Sequence, residues 1–193
     1  MSLSHPSINR RVLAVDDNPT IHEDFRKILS KTAPAADRYD DLESAIFEAK
    51  NQPEAHEGFE IDSAFQGEEG LAKVRLAVEQ GRPYAVAFVD MRMPPGWDGV
   101  ETIARLWEAD PHLQIVICTA YSDYSWEEIL RQLGNRNNLA VLKKPFDNIE
   151  VVQLCETLSQ KWSLSRRLHA HEPFSPLERA PITRSRNGLT GPA

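Results

Sequence analysis

The chain has 193 residues, 41% hydrophobic and 26% charged, which suits one sizeable core with short trimmings. No apolar run approaches the roughly 20 residues of a membrane span, and residues 1–11 lack the apolar centre of a secretion signal, so a cytoplasmic protein without a membrane contact is expected. The formal net charge is −7, but residues 163–193 hold five arginines against Glu172 and Glu178, a balance of +3 that leaves −10 on the body; an acidic body argues against nucleic acid as a partner, because phosphate contacts need clustered Lys and Arg.

In chain order, short apolar runs alternate with amphipathic stretches. Residues 11–15, "RVLAV", read as a buried strand. Asn18-Pro19 then opens a helix, Asn as cap and Pro in the first turn, with Ile21, Phe25, Ile28 and Leu29 on its apolar face. Residues 33–58 break the rhythm, being long for such a connection; they read as an insertion with a short helix at 41–50, either a flap on the sheet edge or a partner-docking element. A second strand is predicted at 59–65, followed by a helix with Leu71, Val74 and Val78 inward. The third strand, 84–89, delivers Asp90, and Asp98-x-x-Glu101 is a capping box for a helix with Val100, Ile103, Ala104 and Trp107 inward. The fourth strand covers 113–118, with Ser125-x-x-Glu128 capping a helix that carries Ile129, Leu130 and Leu133. The fifth covers 139–142, with Asp147-x-x-Glu150 capping a last helix to about Trp162. The basic, proline-containing end, 163–193, reads as a disordered tail or linker. Cys118 and Cys155 sit in apolar segments and are read as reduced core residues; His169 and His171 are read as a solvated pair, with loose metal binding as the alternative.

Strands and helices in alternation imply an α/β fold with a parallel sheet covered on both faces, and ligands of such sheets gather at the carboxyl ends of the strands. Those ends carry Asp16-Asp17, Asp90, Thr119 and Lys143-Lys144-Pro145. Taken singly, each has a bland reading as a cap or turn former. Together, three carboxylates call for a hard cation, for which Mg²⁺ is suited, while a lysine and a hydroxyl would meet the oxygens of a phosphoryl group. An ionised carboxylate is itself the nucleophile.

At this point the chain resembles the receiver domains of two-component response regulators. "VLAVDDNP" looks like their acidic-pair motif, "FVDMRMPPGWDG" like the phospho-acceptor strand and loop, "ICTA" like the switch-threonine strand and "LKKPF" like the lysine–proline motif. The resemblance covers about residues 10–162 and implies a doubly wound, flavodoxin-like, five-stranded sheet of order 2-1-3-4-5. It implies that Asp90 accepts a phosphoryl group from a histidine kinase or phosphotransfer protein. It implies Mg²⁺ held by Asp17, by Asp16 largely through water, by Asp90 and by the Arg92 backbone carbonyl. Lys144 would pair with the acceptor and then the phosphoryl group, across a cis bond to Pro145, and Thr119 would act as the switch. Three departures stand out: the loop from Asp90 to Asp98 is one residue longer than the family's, Val141 stands where the family has its aromatic switch (Tyr121 or Tyr124 being candidate substitutes), and the insertion at 33–58 is absent from a minimal receiver.

The function so implied is a phosphorylation-switched signalling module, not an enzyme beyond its own phosphorylation and dephosphorylation. The downstream target is unnamed, and self-association of two copies is left open. The alternatives are a phosphorylation-independent scaffold on the same fold, a regulatory fragment of a larger sensor kinase or cyclic-di-GMP enzyme, and an aspartate-nucleophile phosphohydrolase. The last is disfavoured by the adjacent, not alternate, acids after the first strand.

Overall fold

The computed structural model describes residues 8–30, 58–120, 126–134 and 136–171. In chain order they form β1 (Arg11–Val15), α1 (Pro19–Leu29), β2 (Glu60–Ala64), α2 (Gly67–Glu79), β3 (Val86–Asp90), α3 (Gly99–Ala109), β4 (Gln114–Thr119), α4 (Trp126–Leu133), β5 (Leu139–Lys143) and α5 (Asn148–His171). The strands make one parallel sheet of order β2-β1-β3-β4-β5, the order the resemblance implied.

The pleat explains the two layers. Leu13 and Val15 point to one face and pack with α2, α3 and α4; Val12 and Ala14 point to the other and pack with Phe25 of α1 and with Val151 and Cys155 of α5. β3 and β4 are buried at every residue, so both faces had to be apolar. Phe25 and Phe88, both 1% exposed, lie with ring centroids 4.6 Å apart under α1, and burying a side chain of that size stabilises by about 2 kcal/mol. Cys118 and Cys155 are free, buried thiols, and burial holds both above the usual thiol pKa.

The caps act as expected where they are described. Asn18 Oδ1 accepts from Thr20 N–H at 3.0 Å ahead of Pro19. Asp98 Oδ1 accepts from Glu101 N–H at 2.8 Å, although Glu101 turns away to Arg105 at 2.7 Å. At α5 the return arm is made, Asp147 N–H donating to Glu150 Oε2 at 3.3 Å, while Asp147 Oδ1 accepts from Ile149 N–H at 2.7 Å, one residue earlier than the box predicts. Ser125 and the 41–50 helix lie outside the described residues.

Three expectations need correction. In α2 the inward row is Gly70, Leu71, Val74 and Ala77, and Val78 is 41% exposed. In α3 Leu106 is buried and Ala104 is exposed. The last helix does not stop near Trp162: it continues to His171, because nothing in "SLSRRLHAH" breaks a helix before Pro173. Beyond Ser163 its apolar side chains turn to solvent, Leu164 and Leu168 being exposed. The side chains of His169 and His171 lie outside the described residues.

Candidate phosphoryl-acceptor site

Register sets the site. Val15 pairs with Val89, so Asp16 and Asp90 emerge level at the carboxyl edge of β1 and β3. Asp90 pairs with Cys118 and Thr119 with Lys143, so β4 and β5 each reach one residue further and present Thr119 and Lys144.

The Lys144 ammonium bridges the acids, donating to Asp16 Oδ2 at 2.7 Å and to Asp90 Oδ1 at 2.6 Å. Backbone N–H groups meet the other two oxygens: Asn18 donates to Asp16 Oδ1 and Arg92 to Asp90 Oδ2, each at 2.9 Å. Burial pushes the Asp90 carboxyl above the usual carboxylate range, and the pulls of Lys144 and Arg92 N–H do not fully offset it. Burial also works against the Lys144 charge, but there Asp16 and Asp90 win and hold its pKa above the ordinary lysine value. The Lys144–Pro145 peptide is cis, as the resemblance implied, and so is Pro94–Pro95 in the lengthened loop.

The structure brings Asp16, Asp90 and Lys144 together. Asp17 is exposed, and it is Asp16, 3% exposed, that shares a partner with Asp90. Thr119 stands on the same edge, 8% exposed, with its hydroxyl donating to Ala120 O at 3.0 Å. Val141 is half-buried opposite Ile117 and borders a cavity of about 650 Å³ between β5 and α5. Tyr121 and Tyr124 lie outside the described residues.

His22 was missed by the sequence reading. It is 1% exposed, and its Nε2 lies 2.7 Å from the Asp16 carbonyl oxygen, so Nε2 carries the proton and pins the turn that presents Asp16. Positions 22, 25 and 29 form one helical row, and that spacing was the available signal.

Among the described residues no three His, Cys, Asp or Glu side chains converge closely enough to hold a metal ion on their own. The oxygen donors nevertheless fit Mg²⁺. Asp16 and Asp90 already share one cation, Asp17 opens to solvent beside them, and Mg²⁺ keeps several of its waters instead of demanding a complete protein cage.

A stability prediction follows from the raised Asp90 pKa. A carboxyl whose folded pKa lies above its unfolded value binds its proton more tightly when folded, so its contribution to stability falls as pH rises through that window. In chelator, Asp90→Asn is therefore expected to melt higher than wild type at pH 7, with the gap closing at acid pH where Asp90 is protonated. A variant that melts lower than wild type at pH 7 would refute this.

A model of the response regulator receiver domain matches residues 40–156, a span that begins after Asp16 and Asp17. The chain is similar to sporulation initiation phosphotransferase F of Bacillus subtilis (strain 168), 32% identical over 87 residues, or 45% of this chain and 65% of the relative, just under two thirds of its length. Among solved structures it is similar to a CheY-like response regulator receiver domain protein from Methanospirillum hungatei JF-1 (TM-score 0.56, 20% identity, 82% of this chain and 99% of that one). It is also similar to an adenylate cyclase from Rhodopirellula baltica (TM-score 0.61, 21% identity, 84% and 96%). At those identities the structural likeness speaks for the fold alone, and the family rests on the matched span: the chain belongs to the response regulator receiver domain family of two-component signalling.

Proposed function

We propose that the domain is a phosphorylation-switched signalling module in which Asp90 takes a phosphoryl group from a phosphohistidine on a histidine kinase or phosphotransfer protein. The observation that carries this reading is the Lys144 bridge, one ammonium binding two buried carboxylates at 2.7 and 2.6 Å at the edge of the sheet. An Asp90 oxygen attacks phosphorus as the P–N bond breaks; the imidazole leaves with that electron pair and picks up a proton from solvent. Asp90 needs no general base, since the ionised carboxylate is the nucleophile. Lys144 and the Arg92 N–H, already on the Asp90 oxygens, stand ready to donate to the phosphoryl oxygens as their charge shifts. Asp16, Asp17, Asp90 and the Arg92 carbonyl would hold Mg²⁺, whose charge would offset that on those oxygens.

Thr119 is the switch. Exchanging the Ala120 carbonyl for a phosphoryl oxygen draws its hydroxyl inward, which alters the surface around α4 and β5. Val141 has no ring to rotate, so the switch works without the aromatic step; the same residue is what favours the phosphorylation-independent scaffold as the second reading. The family is regulatory, and on this reading the domain catalyses only its own phosphorylation and dephosphorylation, in the cytoplasm with its kinase. Among the described residues no helix is long and apolar enough to cross a membrane.

Intact mass after treatment with acetyl phosphate tests the reading. Wild type is expected to gain the mass of one phosphoryl group only with Mg²⁺, and Asp90→Asn to gain none. A folded wild type that stays unmodified with Mg²⁺ would favour the scaffold.

A further inference from the structure

At the opposite, amino-terminal edge of the sheet lies a cavity of about 440 Å³, between the segment before β1, the turn at 81–83 and α5. Its wall holds Arg11, Arg82, Arg166, Arg167 and Trp162, and no carboxylate side chain. Acids outside the wall neutralise two of the four arginines: Arg11 Nη2 donates to Asp62 Oδ2 at 2.9 Å, and Arg82 Nη2 lies 3.1 Å from Glu60 Oε2. Among the described residues no ion pair joins Arg166 or Arg167 to an acid. Arg167 Nε donates to the Ser163 carbonyl at 3.1 Å, and the Arg166 guanidinium sits 5.6 Å from the centroid of the Trp162 ring.

Trp162 gives the wall its aromatic face: it is 8% exposed and lies beneath the Arg166 guanidinium. The wall is also prebuilt: Asn9 N–H donates to Ser163 Oγ at 3.1 Å and Asn9 Nδ2 to the Pro83 carbonyl at 2.9 Å, tying the three segments together.

We propose that this cavity binds a phosphorylated small molecule of nucleotide size, its phosphate oxygens accepting from Arg166 and Arg167. Guanidinium forks match phosphate oxygens two at a time, which an ammonium does not. The volume falls within the range of small-molecule sites and exceeds what a bare anion needs. The −10 carried by residues 1–162 repels a long polyanion but leaves a small one free to enter. The site lies at the end of the sheet away from Asp90 and does not depend on it.

Calorimetric titration with inorganic pyrophosphate and with adenosine 5′-diphosphate, in chelator, tests the proposal. Saturable one-to-one binding of both is expected, tighter for the nucleotide. Arg166→Ala/Arg167→Ala should weaken it by about a hundredfold, one factor of ten for each guanidinium removed. Asp90→Asn should bind as wild type does. Lys27→Ala/Arg75→Ala, which removes two exposed charges elsewhere, should lose much less than the arginine pair. Three results would overturn the site: no saturable binding of either probe, equal losses in the two double variants, or full binding after loss of both arginines. Binding of pyrophosphate with exclusion of the nucleotide would overturn the assigned size.

Discussion

Lys144→Met is expected to lose about 3 kcal/mol of stability at neutral pH, the cost of stranding buried charge, and to take up no phosphoryl group. Asp16 and Asp90 have side chains only 4% and 12% exposed, and Lys144 is the cation both of them meet in the structure. Removing it leaves two carboxylates facing each other with backbone N–H groups alone for support. The contrast with Asp90→Asn is the informative part. Asparagine at 90 removes one buried charge and leaves Lys144 paired with Asp16, whereas methionine at 144 removes the shared partner and leaves both acids. The pH dependence follows from the sign of each shift. Lys144 has its pKa raised, so its contribution is fully present below the ordinary lysine value and is lost only as pH rises through the higher folded value, in the alkaline range. The deficit of Lys144→Met should therefore be full at pH 7 and shrink in acid, where the stranded carboxylates take up protons. Denaturant unfolding across pH, in chelator, measures this, and adding Asp90→Asn to Lys144→Met should recover part of the loss. A single variant as stable as wild type at pH 7 would mean that the bridge contributes nothing to the fold.

The site was legible because it is written at the ends of apolar runs. Once "VLAV", "VAFV", "IVIC" and "LAVL" are strands of one parallel sheet, Asp16, Asp90, Thr119 and Lys144 have to share an edge. What was not legible has physical causes. Ala77 against Val78, and Leu106 against Ala104, are choices at the margin of a helical stripe, where periodicity permits either and the neighbouring helix decides. Gly67 shows the neighbour at work: a β-carbon there would stand 2.2 Å from Thr102 Oγ1, so α2 and α3 touch where no side chain fits. Adjacent acids at the end of β1 cannot be told apart by the pattern; in the folded molecule Asp16 is buried against Lys144 and Asp17 is exposed. His22 hid behind its residue type. The arginine cavity hid behind chain distance, because residues 11, 82 and 166–167 meet only in the folded molecule.

Gly99→Ala is expected to cost about 1–3 kcal/mol, the range for overpacking, and to cut the rate of phosphoryl uptake about a hundredfold, as a 1 Å misplacement of reacting groups does. A β-carbon at 99 would lie 2.5 Å from the Asp90 carbonyl oxygen, 2.7 Å from Met91 Cα and 2.8 Å from Met91 Sδ. Two of these are backbone atoms, and that backbone is held: Met91 N–H donates to the Cys118 carbonyl at 3.2 Å, and Gly99 N–H to the Met91 carbonyl at 3.1 Å. Met91 is fully buried, so its side chain has nowhere to retreat. Either α3 or the 91–98 loop must shift, and the loop carries the Arg92 N–H that fixes Asp90 Oδ2. Gly96→Ala is the control within the same loop. Its β-carbon would meet Gln66 Oε1 at 2.4 Å and Glu68 Oε2 at 3.0 Å, the far ends of two flexible side chains that can swing away. It should cost less than about 0.5 kcal/mol, as surface changes usually do, and leave uptake near wild type. Melting temperature and the acetyl phosphate rate, measured on both variants, separate close backbone approach from general loop strain. Equal effects at 96 and 99 would show that the whole loop, and not the contact of Gly99 with the acceptor strand, sets the position of Asp90.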